Sequence, residues 1–157
     1  MSVSSVEVTS VSARGPAARE CLDRYFDELS ARFPEGYDRE GDGASQLDDF
    51  SPPTGAFLIA QIAGKPVGCG ALRACSPGIG EIKRMWVSRQ FRGQGVGRKL
   101  LEALEGAARD RGLHAVRLDT HSSLAEALAL YRTSGYREIP RFNDNPYARH
   151  WFEKALD

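Results

Sequence analysis

Apolar and polar positions alternate from Val6 to Val11, which predicts a short strand. Gly15-Pro16 breaks that pattern. Pro16 suits the first turn of a helix, where a missing N–H costs nothing. Ala18, Cys21, Leu22, Tyr25, Phe26 and Leu29 then follow at helical spacing until Pro34. The stretch from Pro34 to Gly55, "PEGYDREGDGASQLDDFSPPTG", carries four glycines, three prolines and six acids. It predicts a long loop with a helical turn near Gln46 to Phe50, and loops of this length are usually functional or mobile. Phe57 to Ile62 and Val67 to Ala74 are apolar runs around the turn Ala63-Gly64-Lys65-Pro66, the pattern of an antiparallel hairpin. Pro77 and Gly78 turn the chain into a third strand, Glu81 to Val87.

From Gly95 to Arg111 the period changes to that of a helix, with Val96, Leu100, Leu104 and Ala107 or Ala108 on one stripe. Gly112 stops it, and His114 to Thr120 predicts another strand. A strand, a glycine turn, a helix and a strand make a βαβ unit, so these two strands are expected to be parallel. Leu124 to Thr133 predicts a further helix closed by Gly135. Tyr136 to Ile139 and Trp151 to Lys154 predict closing strands around the loop "PRFNDNPYARH".

The 157 residues suffice for one domain, 1–157, and 41% hydrophobic with 27% charged side chains suits a folded chain. No apolar run reaches the roughly 20 residues that span a bilayer, and Met1 to Ser12 lacks the pattern of a signal peptide. The expectation is a cytoplasmic protein that does not engage a membrane. The three cysteines, Cys21, Cys69 and Cys75, form no Cys-x-x-Cys pair and have no histidine at ligand spacing, so no metal is expected. Cys69 and Cys75 read as buried thiols. Residues 1–50 hold 11 acids and 5 bases, and residues 51–157 hold 10 acids and 16 bases, so a net of −6 faces a net of +6. The second half suits an anionic ligand. A neutral chain without a basic, aromatic stripe is not expected to bind nucleic acid.

Three glycines, Gly93, Gly95 and Gly97, stand between a strand and a helix with Arg89, Arg92, Arg98 and Lys99 around them. Such a turn aims backbone N–H groups and the positive helix end at one place, where they bind phosphate. Flanking arginines can add bidentate contacts. The Rossmann fingerprint fails because position 98 is Arg, and the Walker loop fails because Gly-Arg-Lys replaces Gly-Lys-Ser/Thr.

Arg92-Gly93-Gln94-Gly95-Val96-Gly97 reads Arg-x-x-Gly-x-Gly, with "EIKRMWV" upstream and "ALALYRTSGYREI" downstream. This segment resembles the acetyl-CoA pyrophosphate loop of the GNAT superfamily of N-acetyltransferases, and the order of elements is similar from Val6 to Leu156. The resemblance implies an α/β fold: a mixed, mostly antiparallel central sheet flanked by helices, with one parallel βαβ unit at the cofactor site. It implies acetyl-CoA as cosubstrate. Backbone groups of Met85, Trp86 and Val87 would hold the pantetheine arm, the Val87 N–H would polarise the thioester carbonyl, and the amides of Arg92, Gly93, Gln94, Gly95, Val96, Gly97 and Arg98 would hold the pyrophosphate. Glu81 corresponds to a glutamate that is the general base in some members; the alternative is a solvent-facing glutamate at a strand edge. Tyr131 matches the tyrosine that protonates the departing thiolate; the alternative is a packed helix aromatic. Leu124 stands where the family often has a cofactor-binding asparagine, a contact that Ser122 or Ser123 would have to replace.

The same resemblance places the acceptor under the loop after the first helix and near the closing strands. There Phe33, Tyr37 and Asn143 are candidate substrate contacts. Arg73 and Arg84 lie on central strands, where arginines are costly unless paired; they either grip an acceptor carboxylate or form salt bridges. The reaction expected is acetyl transfer to a small primary amine by direct attack on the thioester. The alternatives are a catalytically silent acyl-CoA-binding module and an unrelated phosphate-binding domain. Relatives are often homodimers, and "YARHWFEKAL" has aromatic surface for an interface or for closing the core.

Overall fold

The computed structural model describes residues 6–38 and 44–157. The part of the acidic loop at 39–43 lies outside the described residues. The elements are β1 (Glu7–Ser10), α1 (Pro16–Arg32), β2 (Ala56–Ile62), β3 (Lys65–Ser76), β4 (Ile79–Val87), α2 (Val96–Asp110), β5 (Ala115–Thr120), α3 (Ala125–Thr133), β6 (Arg137–Ile139) and β7 (His150–Ala155). Short 3₁₀ turns cover Ala44–Phe50, where the helical turn is predicted, and Arg89–Phe91. The strands form one sheet in the order β1-β2-β3-β4-β5-β7-β6. Every pairing is antiparallel except β4 with β5, as the βαβ reading expects. Among the described residues no helix is long and apolar enough to cross a membrane.

Both faces of the sheet are covered. Ala56, Leu58 and Ala60 of β2 pack with Leu100, Leu101, Leu104 and Ala108 of α2. Phe57 and Ile59, between them in sequence, pack with Cys21, Leu22, Phe26 and Leu29 of α1. A strand buried on both faces reads as an unbroken apolar run, which is why β2 shows no polar alternation. Phe152 of β7 is only 1% exposed, so the closing segment contributes to the core. Cys75 departs from expectation: it is half-buried near the end of β3, while Cys21 and Cys69 are buried.

The hairpin turn is tighter than predicted. Ala63 (φ 53°) and Gly64 (φ 79°) make it alone, and Lys65 and Pro66 pair with Ile62 and Gln61. Two successive left-handed residues match the right-handed twist of the flanking strands. Pro66 is tolerated because the register slips beside it, and a bulge does not need its missing N–H.

The α2 stripe also holds Glu105, which is buried. Its carboxylate accepts the Tyr136 hydroxyl at 2.8 Å and the Lys154 ammonium at 3.1 Å. These bonds join α2 to the closing strands. The close approach of α2 to β3 needs glycine. A Cβ on Gly68 would meet the Trp86 carbonyl oxygen at 2.8 Å and Leu100 Cδ1 at 3.0 Å, whereas one on Gly70 would meet the mobile ends of Leu104 and Met85. Gly68→Ala is therefore expected to lower stability by about 1–3 kcal/mol through overpacking against backbone, and Gly70→Ala by less. Paired urea titrations check this, and equal midpoints for Gly68→Ala and the parent would refute it.

Candidate active site

The β3–β4 pairing is irregular where the site forms. Cys69 opposes Trp86 and Ala71 opposes Lys83, so β4 carries one extra residue, and Arg84 there adopts φ 60°. Such a bulge bends the strand and re-aims its side chains. On its other edge β4 pairs with β5 only from Ile79 to Glu81, against Ala115 to Arg117. Beyond that point the two strands part. Gly68 opposes Val87, and the neighbouring Ser88 N–H bonds the Val67 carbonyl at 2.8 Å. Val87 therefore occupies a non-hydrogen-bonded position toward β3, and its own N–H and C=O turn to the edge that β5 has left. The carbonyl accepts Arg92 Nε at 2.9 Å.

A cavity of about 390 Å³ lies along that edge, lined by Met85, Trp86, Val87, the three glycines, Leu124 and Tyr131. This is within the usual range for small-ligand sites. A smaller cavity of about 60 Å³ adjoins it, and both share Tyr25, Leu29, Met85, Leu124, Ala127 and Tyr131.

The glycines of the turn serve two ends. Gly93 (φ 76°) and Gly95 (φ 89°) have open space where a Cβ would stand, so conformation requires them. Gly97 has no unusual φ, but a Cβ there would lie 3.1 Å from Leu130 Cδ2 and 3.6 Å from Val87 Cγ2. A side chain there would make Leu130 give by a few tenths of an ångström. Helix α2 begins without a side-chain cap and without an acid in its first turn, which suits an anion at its N-terminus. Val96 is buried, Gln94 Nε2 bonds the Gln90 carbonyl at 3.2 Å, and Arg98 Nη2 bonds Thr133 Oγ1 at 3.3 Å.

The Arg92 side chain is not turned toward a phosphate. Its Nη2 lies 2.6 Å from both oxygens of Glu28 on α1. Arg32 bonds Glu28 at 2.8 Å and also Glu126 at the start of α3, and Arg92 lies 3.7 Å from Glu126. Two guanidiniums and two carboxylates thus alternate beside the larger cavity. Burial opposes ionisation of Glu28, but hydrogen bonds from Arg92 and Arg32 outweigh it and hold the carboxyl below its ordinary value. Sequence reasoning missed Glu28, because an acid on a helix face carries no sign of a partner 64 residues away.

Tyr131 is buried, lies at the junction of the two cavities, and packs near Tyr136 and Phe152. Burial, with the nearby Tyr25, Asp119 and Glu126, raises its pKa, so the phenol keeps its proton. Phe33, Tyr37 and Arg84 line the smaller cavity. Phe33 stacks on His121 at 4.1 Å and Tyr37 lies 4.7 Å from Tyr147, which ties the loop after α1 to the loop before β7. Arg84 lies over Phe26 and Phe50 at 5.5 and 5.7 Å.

Glu81, Arg73 and Asn143 are placed elsewhere. Glu81 is 3% exposed, not a solvent-facing edge residue, and accepts Arg73 Nη1 and Asn143 Nδ2, each at 3.1 Å. Lys83 stands 3.5 Å from it. Arg73 also pairs with Asp49 at 3.3 Å, so the salt-bridge alternative describes its surroundings. Neither Glu81, Arg73 nor Asn143 is among the residues lining the two cavities. Glu81 is joined to the smaller cavity through Lys83, which lines it, and through Asn143, which also bonds Asp119. Leu124 lines both cavities with an apolar side chain, so it makes no side-chain hydrogen bond there.

The model of the Acetyltransferase (GNAT) family matches residues 22–136. An IAA acetyltransferase of Azospirillum brasilense is 39% identical over 129 residues, covering 82% of this chain and 78% of that protein. An acetyltransferase of the GNAT family from Staphylococcus aureus superposes with a TM-score of 0.81 at 19% identity, over 97% of this chain and 99% of that one. A GNAT family acetyltransferase from Elizabethkingia anophelis, solved with acetyl-CoA bound, gives 0.67 at 19% identity, over 98% and 99%.

Replacing Glu28 with Gln leaves two partly buried guanidiniums with Glu126 as the remaining carboxylate of the network, at an expected cost of about 1–3 kcal/mol. Because the folded-state pKa of Glu28 is depressed, its contribution is full above the ordinary value of 4.5 and is lost as pH falls through the folded value. The gap in melting temperature between the parent and Glu28→Gln should thus be widest near neutrality and close below that value. A gap that stays constant or widens in acid would refute it.

Proposed function

The chain belongs to the acetyltransferase (GNAT) family and is an acyltransferase, and from that premise we propose that it moves an acetyl group from acetyl-CoA to a small primary amine. The observation that carries this reading is Tyr131, a phenol that keeps its proton where the two cavities meet. A module that only binds acyl-CoA has no use for an acid at that junction.

The residues present fit acetyl-CoA. Glycines at positive φ and the uncapped start of α2 offer N–H groups to a pyrophosphate. The edge of β4 offers the Val87 N–H to the thioester carbonyl, where a fixed donor strengthens as negative charge gathers on oxygen. The bound thioester supplies an activated acetyl group. The amine nitrogen attacks the carbonyl carbon with its lone pair, a C–N bond forms, and the C–S bond breaks with its electron pair on sulfur. Tyr131 gives its proton to that sulfur and regains one from the new amide nitrogen.

The acceptor side supports a small molecule. A free volume of about 60 Å³ holds only a few waters, hence a few heavy atoms. Phe33 and Tyr37 form an aromatic wall there. Arg73 and Asn143 act instead by holding Glu81 in place.

A thiol-release assay with acetyl-CoA against amino acids, short amines, polyamines, peptides and, from the relative's name, IAA tests the reading. Turnover confined to peptides would overturn the small-acceptor claim. With the best acceptor, Tyr131→Phe should lower kcat by roughly 100-fold or more with little change in the KM for acetyl-CoA. Full kcat in Tyr131→Phe would end the assignment of that acid.

A further inference from the structure

We propose that Asp119 receives the ammonium group of the acceptor and takes its proton before attack, an inference that rests on the acetyl-transfer reading above. An alkylammonium titrates near ~10 and has no lone pair to attack with until it loses a proton. The acceptor cavity must therefore present an anion.

Among the described residues, Asp119 is the carboxylate that lines that cavity. It is the penultimate residue of β5, two positions past the last pairing with β4. Its side chain thus stands where the two strands have separated, in the cavity that also holds Tyr131 and Arg84. Its charge contributes to keeping the Tyr131 proton in place, which puts the two groups within electrostatic reach.

The carboxylate is held by neutral donors. Asn143 Nδ2 bonds one oxygen at 2.5 Å and Asn145 Nδ2 bonds the other at 3.0 Å. Asn143 is itself fixed by Trp151 Nε1 on its carbonyl oxygen at 3.0 Å. Amide donors orient a carboxylate without cancelling its charge, and each oxygen keeps acceptor capacity. The other charged and titratable groups facing this cavity are Lys83 and Arg84 from β4 and His121 after β5, with Tyr25, Tyr37, Tyr131 and Tyr147. Lys83 is paired with Glu81 and His121 with Glu35 at 3.1 Å. An acceptor ammonium entering this cavity thus meets the Asp119 carboxylate. Glu81 lies behind Asn143, with its charge paired to Arg73 and Lys83.

In the step, one proton passes from the ammonium to an oxygen of Asp119 and on to water. The N–H electron pair stays on nitrogen and becomes the nucleophile. Two acceptors of different basicity isolate this role: a short alkylamine, protonated at neutral pH, and hydroxylamine, which is not. Transfer to each is measured for the parent, Asp119→Asn, Asp119→Glu and Glu81→Gln, beside a CoA titration and a melting curve. The expected result is an Asp119→Asn loss of about 100-fold with the alkylamine but less than about tenfold with hydroxylamine, with CoA affinity kept and partial recovery in Asp119→Glu. Equal losses with both acceptors, or a selective loss in Glu81→Gln instead, would overturn the proposal. Should Asp119→Asn fail to fold, Asp119→Glu decides: indifference to acceptor basicity in that variant refutes the role. If the parent fails to bind CoA, the acetyl-transfer reading itself is wrong, and the proposal falls with it.

Discussion

Strand β4 cannot stay paired on both edges, and the site follows from that. Its extra residue at Arg84 bends it against β3, and its parallel pairing with β5 ends at Glu81. A strand end with unpaired N–H and C=O groups inside a domain is costly unless something binds them. Arg92 takes the Val87 carbonyl from within the chain. The Val87 N–H turns to the same edge, where the proposed thioester would meet it. The same divergence opens the space that α3 lines with Tyr131, so one irregularity of the sheet creates both the donor and the room beside it.

What holds the opening in shape is the alternation of Glu28, Arg92, Arg32 and Glu126. It joins α1, the glycine turn and the start of α3, all of which border the larger cavity. Partly buried ions earn little net stability when complete, but removing one leaves its partners uncompensated. Such a network therefore acts mainly by penalising arrangements in which these walls drift apart. Arg92 takes part twice, through Glu28 and through Val87, so its position in the sequence motif is explained by the protein's own architecture.

The cofactor side was legible in the sequence because backbone geometry leaves a mark on residue choice. Gly93 and Gly95 suit glycine through their positive φ, and Gly97 lets the Leu130 side chain come close to its Cα. The parallel unit and both helices on the sheet faces followed from period and punctuation. The acceptor side was less legible. Asp119, Asn143 and Asn145 come together from segments more than 20 residues apart, and a polar residue near a strand end does not announce which way it faces. Periodicity also hid the bulge, since one inserted residue shifts Glu81 from one neighbourhood to another without altering the apolar pattern of β4. The turn at Ala63-Gly64 is narrower than the sequence suggests, because Pro66 reads as a turn residue and the bulge that receives it leaves no mark on the pattern.

Glu81 and Asp119 differ in what surrounds them, and that difference underlies the separate roles proposed for them. Glu81 meets two cations within 3.5 Å and one amide, so its charge is spent inside the sheet. Asp119 meets two amides, which set its direction and leave its charge for whatever enters the cavity. Asn143 touches both, donating to each through one nitrogen. A proton cannot pass through that amide as it would through a chain of hydroxyls, because its N–H groups only donate. In the proposed reaction the buried glutamate would act by anchoring the asparagine that orients the aspartate, while proton transfer would fall to the group in contact with the amine.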